Sequence, residues 1–336
     1  MDRFSAHLDR GWDLVQRGDS KGAEASARRA LELNSQAPEA YNLLGYAAAL
    51  EGDFEEAIEH YSRALSLDET YFEAMLNAAE VFIHPLEDYP KARQMCDRAL
   101  QLAETDDELV DALLLMFDAL LGENLMDQAR ALCERFPAGP FDNPNHLFLV
   151  GRALYEVGQV KRAAPLIEQA VKVNPENAEA HYYLGLLRDE QGNQAQATQA
   201  FLEARMLDLD MPEPAWSLSR DAFEHTVRQA ILALPERLRS VIRLGEVHIG
   251  DVPGMELVVD GVDPRALVIL DDISLGRGGA PTARLFVYQR NLERLAGTLE
   301  AIETELSAAL EREISSLLDE EEHTELNAPP DKSKLN

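Results

Sequence analysis

Leu43-Leu44-Gly45-Tyr46, followed by Gly52-Asp53, then Ala57, then Ala64-Leu65-Ser66-Leu67, is the stretch on which the fold turns. Its small residues recur at one spacing. Gly11 and Gly45, Gly18 and Gly52, Ala23 and Ala57, and Ala30 and Ala64 each lie 34 residues apart. The spacing returns downstream in Gly151 and Gly185, Gly158 and Gly192, Ala163 and Ala197, and Ala170 and Ala204. Small residues at fixed offsets in a 34-residue period predict a row of helical hairpins.

The small residues have a mechanical reason. Gly45 and Ala57 fall where the two helices of one hairpin cross, and a larger side chain there pushes the pair apart. Gly52-Asp53, like Gly18-Asp19 and Gly192-Asn193, ends the first helix and opens the turn. Ala64 and Ala204 let the second helix meet the next hairpin.

The segment from Leu43 to Leu67, and Tyr182-Tyr183-Leu184-Gly185 through Ala204, resemble tetratricopeptide repeats, with Pro175 at that family's terminal proline position. Weaker units run over residues 72–106, with Ala79, Ala92 and Ala99, and over residues 107–143, with Gly122 and Ala129 before a Pro-rich break. About six repeats cover residues 4–210. The resemblance implies a concave face, lined by the first helix of each hairpin, that holds a partner protein or peptide. Its expected members are Asn42, Tyr46, Asn77, Arg152, Tyr182, Tyr183 and Arg188. Some relatives clamp a terminal carboxylate with Lys, Asn and Arg; Asn42 and Asn77 fit that style, but the lysines are absent. For each tyrosine the alternative is packing between helices.

Beyond Asp208 the pattern changes. Asp210-Met211-Pro212-Glu213-Pro214 reads as a stiff linker. Residues 221–234 read as an amphipathic helix, Pro235 as the opening of a second, and residues 246–249, 266–270 and 283–289 as strands; residues 298–318 read as a long final helix. This order, with Leu234-Pro235-Glu236-Arg237-Leu238 and Leu285-Phe286-Val287-Tyr288 before Asn291-Leu292, resembles the small zincin-like metallopeptidases over residues 219–322. The expected fold class is therefore mainly α: a repeat solenoid over 1–210, a linker over 211–218, a small α+β domain over 219–318, and an acidic disordered tail over 319–336.

In the zincin-like family the final helix carries His-Glu-x-x-His, two imidazoles one turn apart that hold zinc while the glutamate activates water. The aligned segment here is Arg312-Glu313-Ile314-Ser315-Ser316, so both metal ligands are replaced. A guanidinium repels a cation and a serine hydroxyl is a poor zinc ligand. The eight histidines include no pair three to five residues apart, which leaves only an assembly of distant ones such as His225, His248 and His323. Glu313 falls inside the apolar stripe Leu299, Ile302, Leu306, Leu310 and Leu317 and is expected to face inward, as a relic of a catalytic base or by chance placement. Residues 283–289 are the expected edge strand on which an extended peptide pairs. Gly276-Arg277-Gly278-Gly279 lacks the Lys-Ser/Thr of a phosphate loop and reads as a connection.

Composition bounds the function. The 336 residues suit two domains. A net charge of −30, from 61 acidic and 31 basic residues, disfavours nucleic acid and anionic membranes as partners. No run approaches the roughly 18 apolar residues of a membrane span. The first residues carry no export signal, and the two cysteines, Cys96 and Cys133, suit reduced thiols, so a cytoplasmic location is expected. The expected function is a non-enzymatic interaction scaffold or adaptor with a pseudo-peptidase module and no cofactor; the alternative is a zinc-dependent metallopeptidase with an atypical metal site. Metal analysis of the protein purified without chelator should find no tightly held zinc. One zinc per chain, with peptide turnover lost in Glu313→Gln, decides for the alternative.

Overall fold

The computed structural model describes residues 2–84, 86–275 and 281–327. The chain divides into two compact units, Met1–Val173 and Asn174–Asn336. The first holds ten α-helices among its described residues. They are α1 (Arg3–Gln16), α2 (Ser20–Leu33), α3 (Pro38–Glu51), α4 (Phe54–Leu67), α5 (Phe72–Ile83), α6 (Tyr89–Leu102), α7 (Asp106–Gly122), α8 (Met126–Leu132), α9 (Asn145–Glu156) and α10 (Val160–Val173). Each odd-numbered helix pairs with the next to make a hairpin, and α1, α3, α5, α7 and α9 also touch in succession. The odd helices therefore form one continuous layer.

Size complementarity sets each hairpin. A Cβ built on Gly45 would lie 2.5 Å from the Tyr61 ring, and one on Gly151 would lie 2.9 Å from Ile167. Tyr61 and Ile167 are fully buried, so neither has room to retreat. The turns are equally specific. Gly52 sits at φ +83° while its N–H donates to Ala49 and that of Asp53 donates to Ala48, which satisfies two orphan carbonyls of α3. In the fourth hairpin Asn124, at φ +59°, takes this place with the same two bonds to Leu121 and Leu120. Gly122 has another duty there: it lies under the Tyr89 ring. The Pro-rich segment before α9 is pinned by His146, whose ring nitrogens lie 2.9 Å from Asp107 and 2.8 Å from Asp111.

The second unit begins with a hairpin of the same kind, α11 (Ala178–Glu190) and α12 (Gln194–Asp210), where Gly185 meets Phe201. There follow α13 (Arg220–Ala233), α14 (Glu236–Arg239), β1 (Ile242–Gly250), α15 (Met255–Val259), β2 (Val268–Leu275), β3 (Pro281–Tyr288), α16 (Gln289–Ala296) and α17 (Ile302–Asn327). The sheet order is β1-β3-β2, with β1 parallel and β2 antiparallel to β3. Ala283, Leu285 and Val287 alternate inward from β3 onto a core shared with Phe223, Val227 and Ile231 of α13 and Leu306, Leu310 and Ile314 of α17.

Several expectations change here. Residues 283–289 are not an edge: β3 is central because both of its flanks are paired. The compact division falls at 173/174 rather than at 210, because the last hairpin is bonded to the α+β elements. Residues 211–218, expected as a stiff linker, are bonded to α16. Arg290 donates to the carbonyls of Leu209 and Met211, and the buried Glu293 carboxylate accepts from Ser217 Oγ and Leu218 N. Helix α17 continues to Asn327, past the expected tail boundary at 319. The Gly276-Arg277-Gly278-Gly279 connection and residues 328–336 lie outside the described residues.

Gly45→Ala gains about 1 kcal/mol of helix propensity and loses about 1–3 kcal/mol to overpacking against Tyr61. The expected outcome is a net drop in chemical-denaturation stability. A rise would mean that the α3–α4 crossing tolerates a side chain.

Candidate functional site

The layer of odd helices in the first unit carries one repeated position. Tyr46 follows Gly45 and Arg152 follows Gly151, each one residue beyond the point where its hairpin crosses, and Glu80 and Asp118 stand 34 residues from Tyr46 and Arg152 on α5 and α7. Because that crossing is fixed, the next side chain is carried to the rim of the odd-helix layer. Two hollows open there and share His84. One, of about 210 Å³, is lined by Tyr46, Leu50, Asn77 and Glu80; the other, of about 480 Å³, by Asp118, Arg152 and Glu156. Trp12 meets Tyr46 edge to face at 5.5 Å.

Charge is segregated over the middle of the odd layer, although α1 at its start carries Arg3 and Arg10. Helices α3, α5 and α7 contain no lysine or arginine, whereas α2, α4, α6, α8 and α10 all do. Arg152 is the one cation of α9, and its Nη2 lies 3.5 Å from Asp118 and its Nε 3.6 Å from Glu156. Burial pushes the Asp118 carboxyl above its ordinary value, and the Arg152 guanidinium opposes that rise. Four carboxylates, Glu80, Glu87, Asp118 and Glu156, thus line the two hollows with one guanidinium. An added cation meets favourable charge here, and a carboxylate terminus does not.

The expected site residues divide into groups. Tyr46 and Asn77 line the first hollow, and Arg152 lines the second in its paired state. Asn42 is 1 % exposed and is corrected to an internal bridge. It accepts from Asn77 Nδ2 at 3.0 Å and donates to Tyr71 Oη at 3.4 Å, joining α3 to α5. Tyr182, Tyr183 and Arg188 belong to the second unit. Tyr182 donates to Asp263 at 2.8 Å, Tyr183 stands edge-on to Tyr182 at 6.0 Å, and Arg188 donates to Gln191 at 2.9 Å. On α17, Arg312 and Ser316 are exposed, Ile314 is the inward residue, and Glu313 is half-buried at the margin of the stripe. His225 and His248 are exposed, and His248 stacks on Phe286 at 5.0 Å. Among the described residues no three His, Cys, Asp or Glu side chains converge to hold a metal ion.

Glu80, His84, Asp118 and Glu156 escaped the sequence reading, although a signal existed. Trp12, Tyr46 and Glu80 stand at 34-residue steps, as do Asp118 and Arg152. Two neighbouring pairs of that column touch, Trp12 with Tyr46 and Asp118 with Arg152.

A tetratricopeptide-repeat family model matches residues 8–72 and 149–214. The solved structure of pilF from Pseudomonas aeruginosa aligns with a TM-score of 0.53 at 19% identity, over 62% of this chain and 93% of that one. That of PilW, a type IV pilus biogenesis factor, aligns at 0.51 and 17% identity, over 63% and 95%. At such identities the likeness speaks for the fold alone. Tetratricopeptide-repeat hairpins are supported in both matched segments, and the chain is a mainly helical repeat protein.

Asn42→Ala leaves Asn77 and Tyr71 without their shared partner, at an expected loss of about 1–3 kcal/mol. Thermal unfolding checks this. Unchanged stability together with weaker partner binding would return Asn42 to the surface role.

Proposed function

We propose that the first unit is a non-enzymatic adaptor module whose odd-helix face binds a partner segment bearing lysine or arginine beside an apolar or aromatic residue. The observation that carries this reading is the segregation of charge, with no cation on α3, α5 or α7 and the single Arg152 on α9 already facing Asp118 and Glu156. Tyr46, Leu50 and Trp12 supply the apolar end of the face, and Glu80, Asp118 and Glu156 the anionic end. Anionic polymers and membranes are poor partners for a chain of net charge −30.

A cytoplasmic location is part of the proposal. Burial pushes the Cys96 thiol up to about 12 and that of Cys133 up to about 11, so both stay protonated and unreactive, as suits a reducing compartment. For the α+β elements we propose a pseudo-peptidase module. Two helices, three strands with α15 between the first two, then α16 and the long α17 support it, and Arg312 and Ser316 replace the imidazoles that the resemblance calls for.

Paired peptide pools with the same apolar residues, one lysine- and arginine-rich and one aspartate- and glutamate-rich, test the reading by fluorescence anisotropy. The basic pool should bind, and more weakly as salt rises. Glu80→Gln and Asp118→Asn should each weaken binding roughly two- to fivefold. The folded Asp118 carboxyl is raised, so its favourable share of stability is present at low pH and lost as pH rises through that value. Asp118→Asn should therefore keep or raise the unfolding temperature at neutral pH. Equal binding of the acidic pool would overturn the proposal.

A further inference from the structure

The last hairpin already holds a ligand of its own chain. The turn Asp263–Pro264–Arg265–Ala266 is rigid: Asp263 Oδ1 accepts from the Arg265 N–H at 2.7 Å, and the buried Asn291 amide donates to the carbonyls of Pro264 and Ala266 at 3.0 and 2.8 Å. From this turn Arg265 reaches the hairpin. Its guanidinium lies over the Tyr182 ring at 4.3 Å, with Nη1 2.8 Å from Glu179. Nε and Nη2 reach the two oxygens of Asp208 at 3.0 and 3.2 Å in a fork. Tyr182 donates back to Asp263 at 2.8 Å, so turn and hairpin grip each other twice.

This is the equipment of an arginine-recognition site: an aromatic face, one bidentate carboxylate and a second carboxylate at the remaining edge. Burial works against the Arg265 charge, but Glu179 and Asp208 outweigh it and hold the guanidinium above its ordinary value. The side chains of Arg265 and Asp208 are 11 % and 10 % exposed, so the contact is largely out of water. Surface ion pairs are worth little, whereas a desolvated forked pair is selective for the shape of its cation. Lysine cannot reproduce it. Tyr182 was expected among the partner-binding residues, and its ring and hydroxyl are both spent on this turn.

We infer that Tyr182, Glu179 and Asp208 form a guanidinium-binding site on the α11–α12 hairpin, occupied in cis by Arg265, so that this hairpin refuses arginine-bearing partners until the turn releases it. The inference stands apart from the proposed groove on α3–α9, since it uses none of its residues.

The test uses the full chain. Arg265→Ala should unfold at a lower temperature than the wild type, and millimolar methylguanidinium should restore part of the loss while methylammonium restores none. The amidated pentapeptide Val-Asp-Pro-Arg-Ala should bind Arg265→Ala and be refused by the wild type. Its citrulline counterpart, equal in shape but neutral, should be refused by both. If Arg265→Ala does not fold, Arg265→Lys carries the test: it keeps a cation but loses the fork, and its unfolding temperature should rise with methylguanidinium and not with methylammonium. A folded variant indifferent to methylguanidinium and to the arginine peptide overturns the inference. So does a wild type that binds the pentapeptide as tightly as Arg265→Ala.

Discussion

Three of the helical hairpins are set by one kind of contact, a helix backbone bared by glycine lying directly against a large side chain of its partner. Tyr61 against Gly45, Ile167 against Gly151 and Phe201 against Gly185 are three instances. Each fixes the axial position and the rotation of one helix on the other, because interiors packed at crystal-like density leave no slack. Rotation is what matters for function. In α3 and α9 it sets where the residue after the glycine, Tyr46 or Arg152, stands on the odd-helix layer, and so ties a packing rule to the placing of functional side chains.

What stands in that column is a matter of chemistry rather than of fold. Trp12 and Tyr46 offer apolar area with polar tips, Glu80 and Asp118 offer charge, and Arg152 sits between two carboxylates. Gathering acidic groups on one face costs self-repulsion that the even-numbered helices, with their lysines and arginines, partly offset. A partner cation relieves the repulsion further, which is the physical ground for expecting one. The same logic is already satisfied internally in the second unit, where Arg265 lies between Glu179 and Asp208. Asp208, in the last turn of α12, serves Arg265 and Arg294 together.

The repeat was legible because side-chain size repeats in the sequence, and size is what the hairpins depend on. The three strands and the flanking helices α13 and α17 of the α+β segment were legible by order, because alternation on β3 and the stripe on α17 are local patterns, whereas α15 and α16 were not expected and α17 runs to Asn327 rather than 318. Pairwise relations were not. Asn42 looked like a surface amide because its partners Asn77 and Tyr71 lie about one repeat away, and β3 looked like an edge because strand order leaves no mark on any single strand. Asn124 hid its turn role behind Gly122, since asparagine also adopts the left-handed conformation. The Arg265 site had no local sign at all: its carboxylates lie 57 residues away at Asp208 and further still at Glu179.

The central claim is that partner recognition belongs to the odd-helix face of the first unit. Amide hydrogen exchange on the full chain, with and without a bound lysine- and arginine-bearing peptide, tests it most directly, because it reports on every helix at once. The account predicts slowed exchange along α3, α5, α7 and α9 and little change in α2, α4, α6, α8 and α10. Protection concentrated on the even-numbered helices, or confined to residues 174–327, would contradict it.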